Sequence, residues 1–227
     1  MRVEHHGSHL IQLTRLKAVN AYLVREDDGF TLVDTGIPGG AAGYLAAARD
    51  AGGEIKRIVL THGHSDHAGS LEALAGKLPG VEVLFGAREA RFLRGDKGME
   101  PGEPDAKPKG MVKLDRRPER ELAPGDRVGS LEVVAAPGHT PGQIALLDTR
   151  DRTLIAADAF ATLGGTSVSS EITFPFPFPG VATWHRPTAL ATGHALRALD
   201  PARLAVGHGR VLVAPAAEMD RALAAAG

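Results

Sequence analysis

The sequence contains no cysteine among its 227 residues. This absence excludes disulfide bridges, thiolate metal sites and cysteine nucleophiles, so any metal must be held by histidine, carboxylate or backbone ligands. No apolar run approaches the ~20 residues of a membrane-spanning helix, and the N-terminal segment lacks the hydrophobic region of a secretion signal. We therefore expect a cytoplasmic protein with no membrane partner.

An excess of charge of one sign is also absent. Lysine and arginine number 26 against 27 for aspartate and glutamate, which gives a net charge of −1. Nucleic-acid-binding proteins usually carry clustered positive charge, so we expect a small-molecule substrate and no nucleic acid as the partner. The length and the hydrophobic content of 43% predict a single domain over residues 1–227.

Two common catalytic motifs are missing as well. The sequence has neither the GxSxG segment of serine hydrolases nor the GxxxxGK[ST] loop that binds phosphates. Neither serine-nucleophile nor P-loop chemistry is therefore expected.

Several short apolar segments end in aspartate or are followed by histidine. We predict strands over 30–34, 55–60, 153–158 and 203–208, which are closed or followed by Asp34, His62, Asp158 and His208. Because an apolar strand fixes the residue at its end, these positions are suited to a rigid site. The segments TLVD and TLIAAD resemble each other, as do RIVLTHGH and RLAVGHG. This likeness indicates either two similar halves that face each other or a chance match of short apolar strings.

The strongest chemical signal is the segment THGHSDH at residues 61–67. His62 and His64 lie two residues apart at a strand end, so their rings point to the same side and can bind one ion. Asp66 and His67 follow where the chain turns into a helix, predicted from about His67 to Leu78, and can be directed at a second ion.

Three later residues complete a plausible ligand set. His139 lies in the turn PGHTPG, Asp158 closes the strand TLIAAD, and His208 closes the strand RLAVGH. Imidazole and carboxylate groups are ligands suited to zinc, and also to iron or manganese. Together with THGHSDH these residues predict a metal centre with room for two ions.

With these residues the sequence resembles the metallo-β-lactamase-fold hydrolases of the glyoxalase II and lactonase-like branch, over about residues 18–213. The resemblance is carried by VDTG, THGHSDH, PGHTPG, AADA and VGHG. It implies an α+β fold, a four-layer αββα sandwich, with the site at one edge of the two sheets.

The resemblance also implies the cofactor, two divalent metal ions, with zinc first and manganese or iron as alternatives. It assigns His62, His64 and His139 to the first ion and Asp66, His67 and His208 to the second, with Asp158 bridging both. Asp34 would orient ligands from behind, although a simple turn residue is the alternative. A homodimer is compatible with the resemblance, but no sequence feature requires one.

Two ions about 3.5–4 Å apart can hold a bridging hydroxide that is nucleophilic at neutral pH. We therefore expect hydrolysis of a small ester, lactone or thioester, with Asp66 as the catalytic proton acceptor. The alternatives are a mononuclear iron persulfide dioxygenase that uses His62, His139 and Asp158, a β-lactam-cleaving hydrolase, and a non-catalytic binding protein.

Half of the aromatic side chains lie in residues 160–185, which we predict to be a substrate-side insertion loop. We expect an apolar pocket wall there, with one histidine beside it: Phe160, Phe174, Phe176, Phe178, Trp184 and His185. Alternatively these rings pack within the protein or against another subunit. Neither tyrosine nor a basic residue closely follows Asp158, which disfavours homoserine lactones and glutathione thioesters. The mixed-charge segment 95–118 is expected to be a surface loop that forms a solvated cover, with a mobile lid as the alternative.

Overall fold

The computed structural model describes residues 1–227 and contains two facing β-sheets. The first sheet has seven strands, in the order of the chain: β1 (Arg2–His6), β2 (Leu10–Arg15), β3 (Val19–Glu26), β4 (Gly29–Val33), β5 (Ile55–Leu60), β6 (Glu82–Gly86) and β7 (Arg120–Leu122). Strands β1 to β4 are antiparallel, and β4 to β7 are parallel.

The second sheet has six strands: β8 (Arg127–Val128), β9 (Leu131–Ala135), β10 (Ile144–Asp148), β11 (Thr153–Ile155), β14 (Arg203–Ala205) and β15 (Leu212–Val213). Their order is β15-β14-β11-β10-β9-β8, and only β11 and β14 pair in parallel. A separate pair is formed by β12 (Phe160–Ala161) and β13 (Ser167–Val168).

Seven α-helices accompany the sheets: α1 (Ala41–Asp50), α2 (Ser65–Ala68), α3 (Leu71–Ala75), α4 (Ala87–Leu93), α5 (Phe178–Ala182), α6 (Arg186–Ala198) and α7 (Ala216–Ala225). Helices α1, α3 and α4 pack on the outer face of the first sheet, and α6 and α7 on that of the second. None of the helices has the length and apolar character needed to cross a bilayer.

Three apolar layers hold these elements together. Strand β5 contributes to two of these layers: Ile58 and Leu60 face the helices on the first sheet, whereas Val59 faces the second sheet. Successive strand residues point to opposite faces, so a strand buried on both sides reads as a continuous apolar run. The layers confirm the predicted αββα sandwich.

In each of the two pairs of similar segments, one member lies in the first sheet and the other in the second. Strands β4 and β5 are parallel neighbours in the first sheet, and β11 and β14 are parallel neighbours in the second. The carboxyl ends of both pairs lie at the same edge of the sandwich, which places the residues that follow them in one region.

The predicted helix from His67 to Leu78 is wrong in its extent, because α2 ends at Ala68 and α3 begins at Leu71. The backbone N–H of Gly69 donates to Gly36 O at 2.9 Å, outside the helix. The strand predicted to reach Asp158 likewise ends early, at Ile155, and Asp158 lies in a 3₁₀ turn over Ala157–Ala159. Ala157 has a φ of 47°, which ends the extended chain there.

Replacing Leu146 by alanine should lower the free energy of unfolding by about 2–5 kcal/mol, because it leaves a cavity between the two sheets. Leu146 is fully buried, whereas Val213 on the edge strand β15 is 72% exposed. The control Val213→Ala should change the free energy by less than about 0.5 kcal/mol. Urea denaturation measures both, and equal losses would contradict this description of the core.

Candidate metal centre

The seven predicted ligands converge at one edge of the sandwich. They follow the carboxyl ends of strands from both sheets: His62 and His64 after β5, Asp66 and His67 in the adjoining α2, His139 after β9, Asp158 after β11 and His208 after β14. The ends of paired parallel strands meet at the same sheet edge, so the topology itself brings the residues together.

Three overlapping groups of side chains could each hold an ion. In each group the ligand atoms lie within 4.8 Å of one another, and the groups are His62, His64 and His139; His62, His67 and Asp158; and Asp66, His67 and His208. Every member except Asp66 is buried. The structure thus brings together all seven residues to which the sequence assigns metal binding.

Asp158 occupies the centre of these groups. Its Oδ1 lies 3.2 Å from His67 Nε2, and its Oδ2 lies 3.1 Å from His208 Nε2 and 3.4 Å from His139 Nε2. One carboxylate therefore touches rings on both sides of the site. Gly207 makes room for it, because a Cβ at that position would overlap Asp158 Oδ1.

Unpaired polar atoms indicate that the site is built for a cation. His62 Nε2 is buried and makes no hydrogen bond, and His67 Nε2 makes none although it lies 3.2 Å from Asp158 Oδ1; buried polar groups are normally paired. His64 Nδ1 and His139 Nε2 face each other at 2.9 Å. Clustered imidazole nitrogens and a carboxylate fit a divalent metal ion.

Each ligand ring is held through its other nitrogen, which determines the nitrogen that faces the site. The five partners are Thr61 Oγ1 for His62 (3.1 Å), Lys109 O for His64 (2.8 Å), Asp34 Oδ2 for His67 (2.7 Å), Thr183 Oγ1 for His139 (3.1 Å) and Ala18 O for His208 (3.0 Å). Of these partners, the sequence analysis found only Asp34.

Asp34 contacts a ligand, as the resemblance implies. Its Oδ1 accepts from the Thr61 backbone N–H at 2.8 Å, and its Oδ2 accepts from the Thr61 hydroxyl at 2.8 Å and from His67. Asp34 has a φ of 62°, a conformation that aspartate tolerates better than most residues. The carboxylate therefore fixes both the start of the THGHSDH segment and one of its rings.

The histidines divide into two electrostatic classes. Burial lowers the pKa of His62 well below its usual value and the pKa of His139 to about 3, so both rings are neutral. Burial also acts to lower the pKa of His67 and of His208, but Asp158 and other carboxylates outweigh it. They raise the pKa of His67 well above its usual value and that of His208 to about 9. A metal ion held by these two rings would have to displace their protons.

A cleft of about 370 Å³ opens beside the ligands. Phe176 and Phe178 line it, and the Phe176 ring centroid lies 4.8 Å from the His208 ring and 5.3 Å from the Phe178 ring. These two phenylalanines lie where the sequence placed an apolar wall.

The other four predicted pocket residues lie outside the cleft lining. The ring of Phe160 is fully buried in the layer under α6 and α7, and Phe174 is 81% exposed. The indole N–H of Trp184 donates to Ala106 O at 2.5 Å, and the His185 side chain caps α6 by accepting from the Thr188 backbone N–H. Phe160, Trp184 and His185 have structural partners of their own and Phe174 is exposed, so the structure corrects the predicted wall.

Part of the predicted surface loop 95–118 lies over His64. Lys109 O accepts from the His64 ring, Gly110 lines the cleft, and Met111 forms an isolated β-bridge with His64. The Lys109 ammonium donates to Val181 O at 3.2 Å, which joins this stretch to the other side of the cleft. The loop therefore covers one side of the site.

Replacing Asp34 by asparagine should weaken metal binding by about 10–100-fold, the usual cost of losing a partner behind a ligand. The amide would direct an N–H group at a donor that the carboxylate now accepts from. Competition with a chelator measures the affinity. The control is Asp148→Asn at the far end of β10, where the buried carboxylate pairs with Arg150 at 2.6 Å. An equal loss in that control would contradict the role of Asp34.

Comparison with known proteins agrees with this geometry. A family model described as the metallo-β-lactamase superfamily matches residues 14–208. The uncharacterized protein YobT of Bacillus subtilis (strain 168) is 41% identical over 207 residues, which cover 90% of this chain and 89% of that protein.

A second relative is a hydroxyacylglutathione hydrolase of Acidiphilium cryptum (strain JF-5), 29% identical over 211 residues, which cover 92% of this chain and 71% of that protein. The solved structure of the DIM-1 metallo-β-lactamase exposed to ceftazidime matches with a TM-score of 0.74 at 15% identity, over 99% of this chain and 95% of that one. The family match spans most of the chain and includes the converging ligands, and the protein therefore belongs to the metallo-β-lactamase superfamily.

Proposed function

We propose that the protein is a dinuclear metal-dependent hydrolase that cleaves a small ester, lactone or thioester. The observation that carries the proposal is the position of Asp158, whose carboxylate lies within 3.4 Å of His139 on one side and 3.1 Å of His208 on the other. Similarity to a hydroxyacylglutathione hydrolase supports hydrolytic chemistry.

The ligands would be divided between two ions. His62, His64 and His139 would hold the first, Asp66, His67 and His208 the second, and Asp158 would contact both. When bound, two divalent ions, zinc before manganese or iron, supply a water that is nucleophilic at neutral pH and positive charge that stabilises a developing oxyanion.

Asp66 is the residue to which we assign proton transfer. Its side chain lines the cleft and is 32% exposed, whereas the other two members of its group, His67 and His208, are buried. Partial burial acts to raise its pKa, but the hydrogen bond from His208 and the charge of His67 outweigh this and lower the pKa of Asp66 to about 2. Its Oδ2 lies 3.4 Å from His208 Nε2. Oδ1, which is free of that contact, would therefore accept a proton from the attacking water and pass it to the leaving group.

The cleft lining supports an uncharged, apolar acyl group as the part of the substrate that is bound. Phe176, Phe178, Pro179 and Val181 form one side, and the lining contains no lysine or arginine. Apart from the metal ions, the lining offers no cationic partner, so a substrate that carries charge beyond its reacting group would lose free energy of binding. Esters, lactones and thioesters with apolar acyl groups meet no such cost.

Replacing Asp66 by asparagine should lower kcat by about 10²–10⁴-fold on esters, lactones or thioesters that the wild-type protein hydrolyses, because the amide cannot accept the proton. The assay is steady-state hydrolysis with metal content measured in the same sample. Asp27→Asn, at an exposed position in the β3–β4 turn, is the control. Undiminished kcat in the Asp66 variant would refute the assignment.

Replacing Phe178 by alanine should reduce the preference for longer acyl chains by about tenfold in kcat/KM, since each buried methylene contributes about 0.8 kcal/mol. Phe174→Ala is the matched control, because this neighbouring ring is 81% exposed and outside the cleft lining. A series of acyl esters of increasing length measures the preference. The same reduction in both variants would show that the cleft does not bind the acyl chain.

A further inference from the structure

Glu89 is a buried acid behind the metal centre. It lies in α4 with no exposed surface and accepts three hydrogen bonds: from the Gly63 N–H at 2.6 Å, the Thr140 hydroxyl at 3.0 Å and the Gly142 N–H at 3.1 Å. No lysine or arginine forms an ion pair with it. Glu89 is thus a buried carboxylate that only backbone and hydroxyl groups satisfy.

The three donors belong to two loops that carry metal ligands. Gly63 lies between His62 and His64, in the loop that follows strand β5 of the first sheet. Thr140 and Gly142 belong to the turn that follows His139 in the second sheet. The loop around Gly142 approaches closely, since a Cβ there would overlap the Glu89 backbone. One carboxylate therefore connects the two halves of the three-histidine cluster.

Only a carboxylate can accept from all three donors without adding a donor of its own. Glutamine, serine and threonine each bring a donor, whereas an ionised carboxylate accepts at both oxygens and donates at neither. The ionised form is costly to bury: burial raises the pKa of Glu89 to about 7 even though the three hydrogen bonds act to lower it. A neutral apolar side chain would avoid that cost but would leave three donors unpaired.

We infer that Glu89 is a positioning residue that fixes the His62–His64 loop against the His139 turn and so sets the spacing of the three ligand nitrogens. The 2.9 Å separation of His64 Nδ1 and His139 Nε2 depends on this connection. The inference rests on metal loading at the three-histidine cluster, as proposed above, and is independent of the substrate.

The test is titration of the metal-free, full-length protein with Co²⁺, followed by visible absorption. Replacing Glu89 by glutamine keeps the size of the side chain but directs its amide N–H₂ at either Gly63 or Gly142, where a donor is already present. We expect Co²⁺ affinity at the three-histidine cluster to fall about 10–100-fold, with an altered absorption spectrum. Affinity at the cluster of Asp66, His67 and His208 should change much less.

The control separates positioning from stability. Glu26 is a largely buried acid at the far end of β3, and it accepts from the Ser130 hydroxyl at 2.9 Å and the Ser130 N–H at 3.2 Å. Glu26→Gln should lower the free energy of unfolding and leave the Co²⁺ affinity and spectrum unchanged. If this control weakens Co²⁺ binding as much as Glu89→Gln does, the inference is overturned.

A second variant covers the case in which Glu89→Gln fails to fold. Thr140→Val keeps the shape of the side chain and removes only the hydroxyl donor, so it should weaken the same Co²⁺ phase by severalfold. Wild-type affinity and spectrum in Glu89→Gln, or in Thr140→Val if that alone folds, would overturn the inference. A wild-type protein that binds no Co²⁺ at this cluster would instead overturn the proposed metal loading on which the inference rests.

Discussion

The buried carboxylate of Asp158 is the group on which the site depends. It is 2% exposed and lies among His67, His139 and His208. A buried charge is tolerated only when it is paired or coordinated, so these rings must either hold protons or bind metal together with it. Both sheets keep the group in place. Asp158 and His208 follow β11 and β14, which are parallel neighbours in the second sheet, and His67 lies after β5 of the first sheet.

Support from the opposite sheet recurs around the site. Asn20 of β3 donates its side-chain amide to Val206 O at 2.9 Å and to Gly209 O at 2.7 Å, on both sides of His208. Tyr22 of the same strand donates its hydroxyl to Val206 O at 2.6 Å. Glu89, in the helix α4 that packs on the first sheet, holds the turn that follows His139 by accepting from the Thr140 hydroxyl and the Gly142 N–H. A ligand loop of the second sheet is thus fixed by side chains of the first, and metal geometry depends on packing between the layers.

The sequence predicted which side chains meet at the sheet edge, because THGHSDH and the strand-end residues are local patterns that residue type and spacing reveal. It could not predict the groups behind them. Lys109 and Ala18 act through backbone carbonyls, which any residue possesses, and Glu89 meets Gly142 from 53 positions away. The prediction that Phe160 and Trp184 face the cleft was wrong for a related reason. Their segment has no regular period, so only tertiary packing decides which rings face the cleft.

Metal content tests the central proposal most directly. The protein should be purified without a metal-affinity column and without added metal, and its metals measured by mass spectrometry. Near two equivalents of zinc, manganese or iron per chain are expected if Asp158 joins two occupied sites. A single equivalent of iron would contradict the dinuclear site and favour a centre formed by His62, His139 and Asp158 alone. A protein that holds no metal and cannot be reconstituted would contradict the metallohydrolase itself.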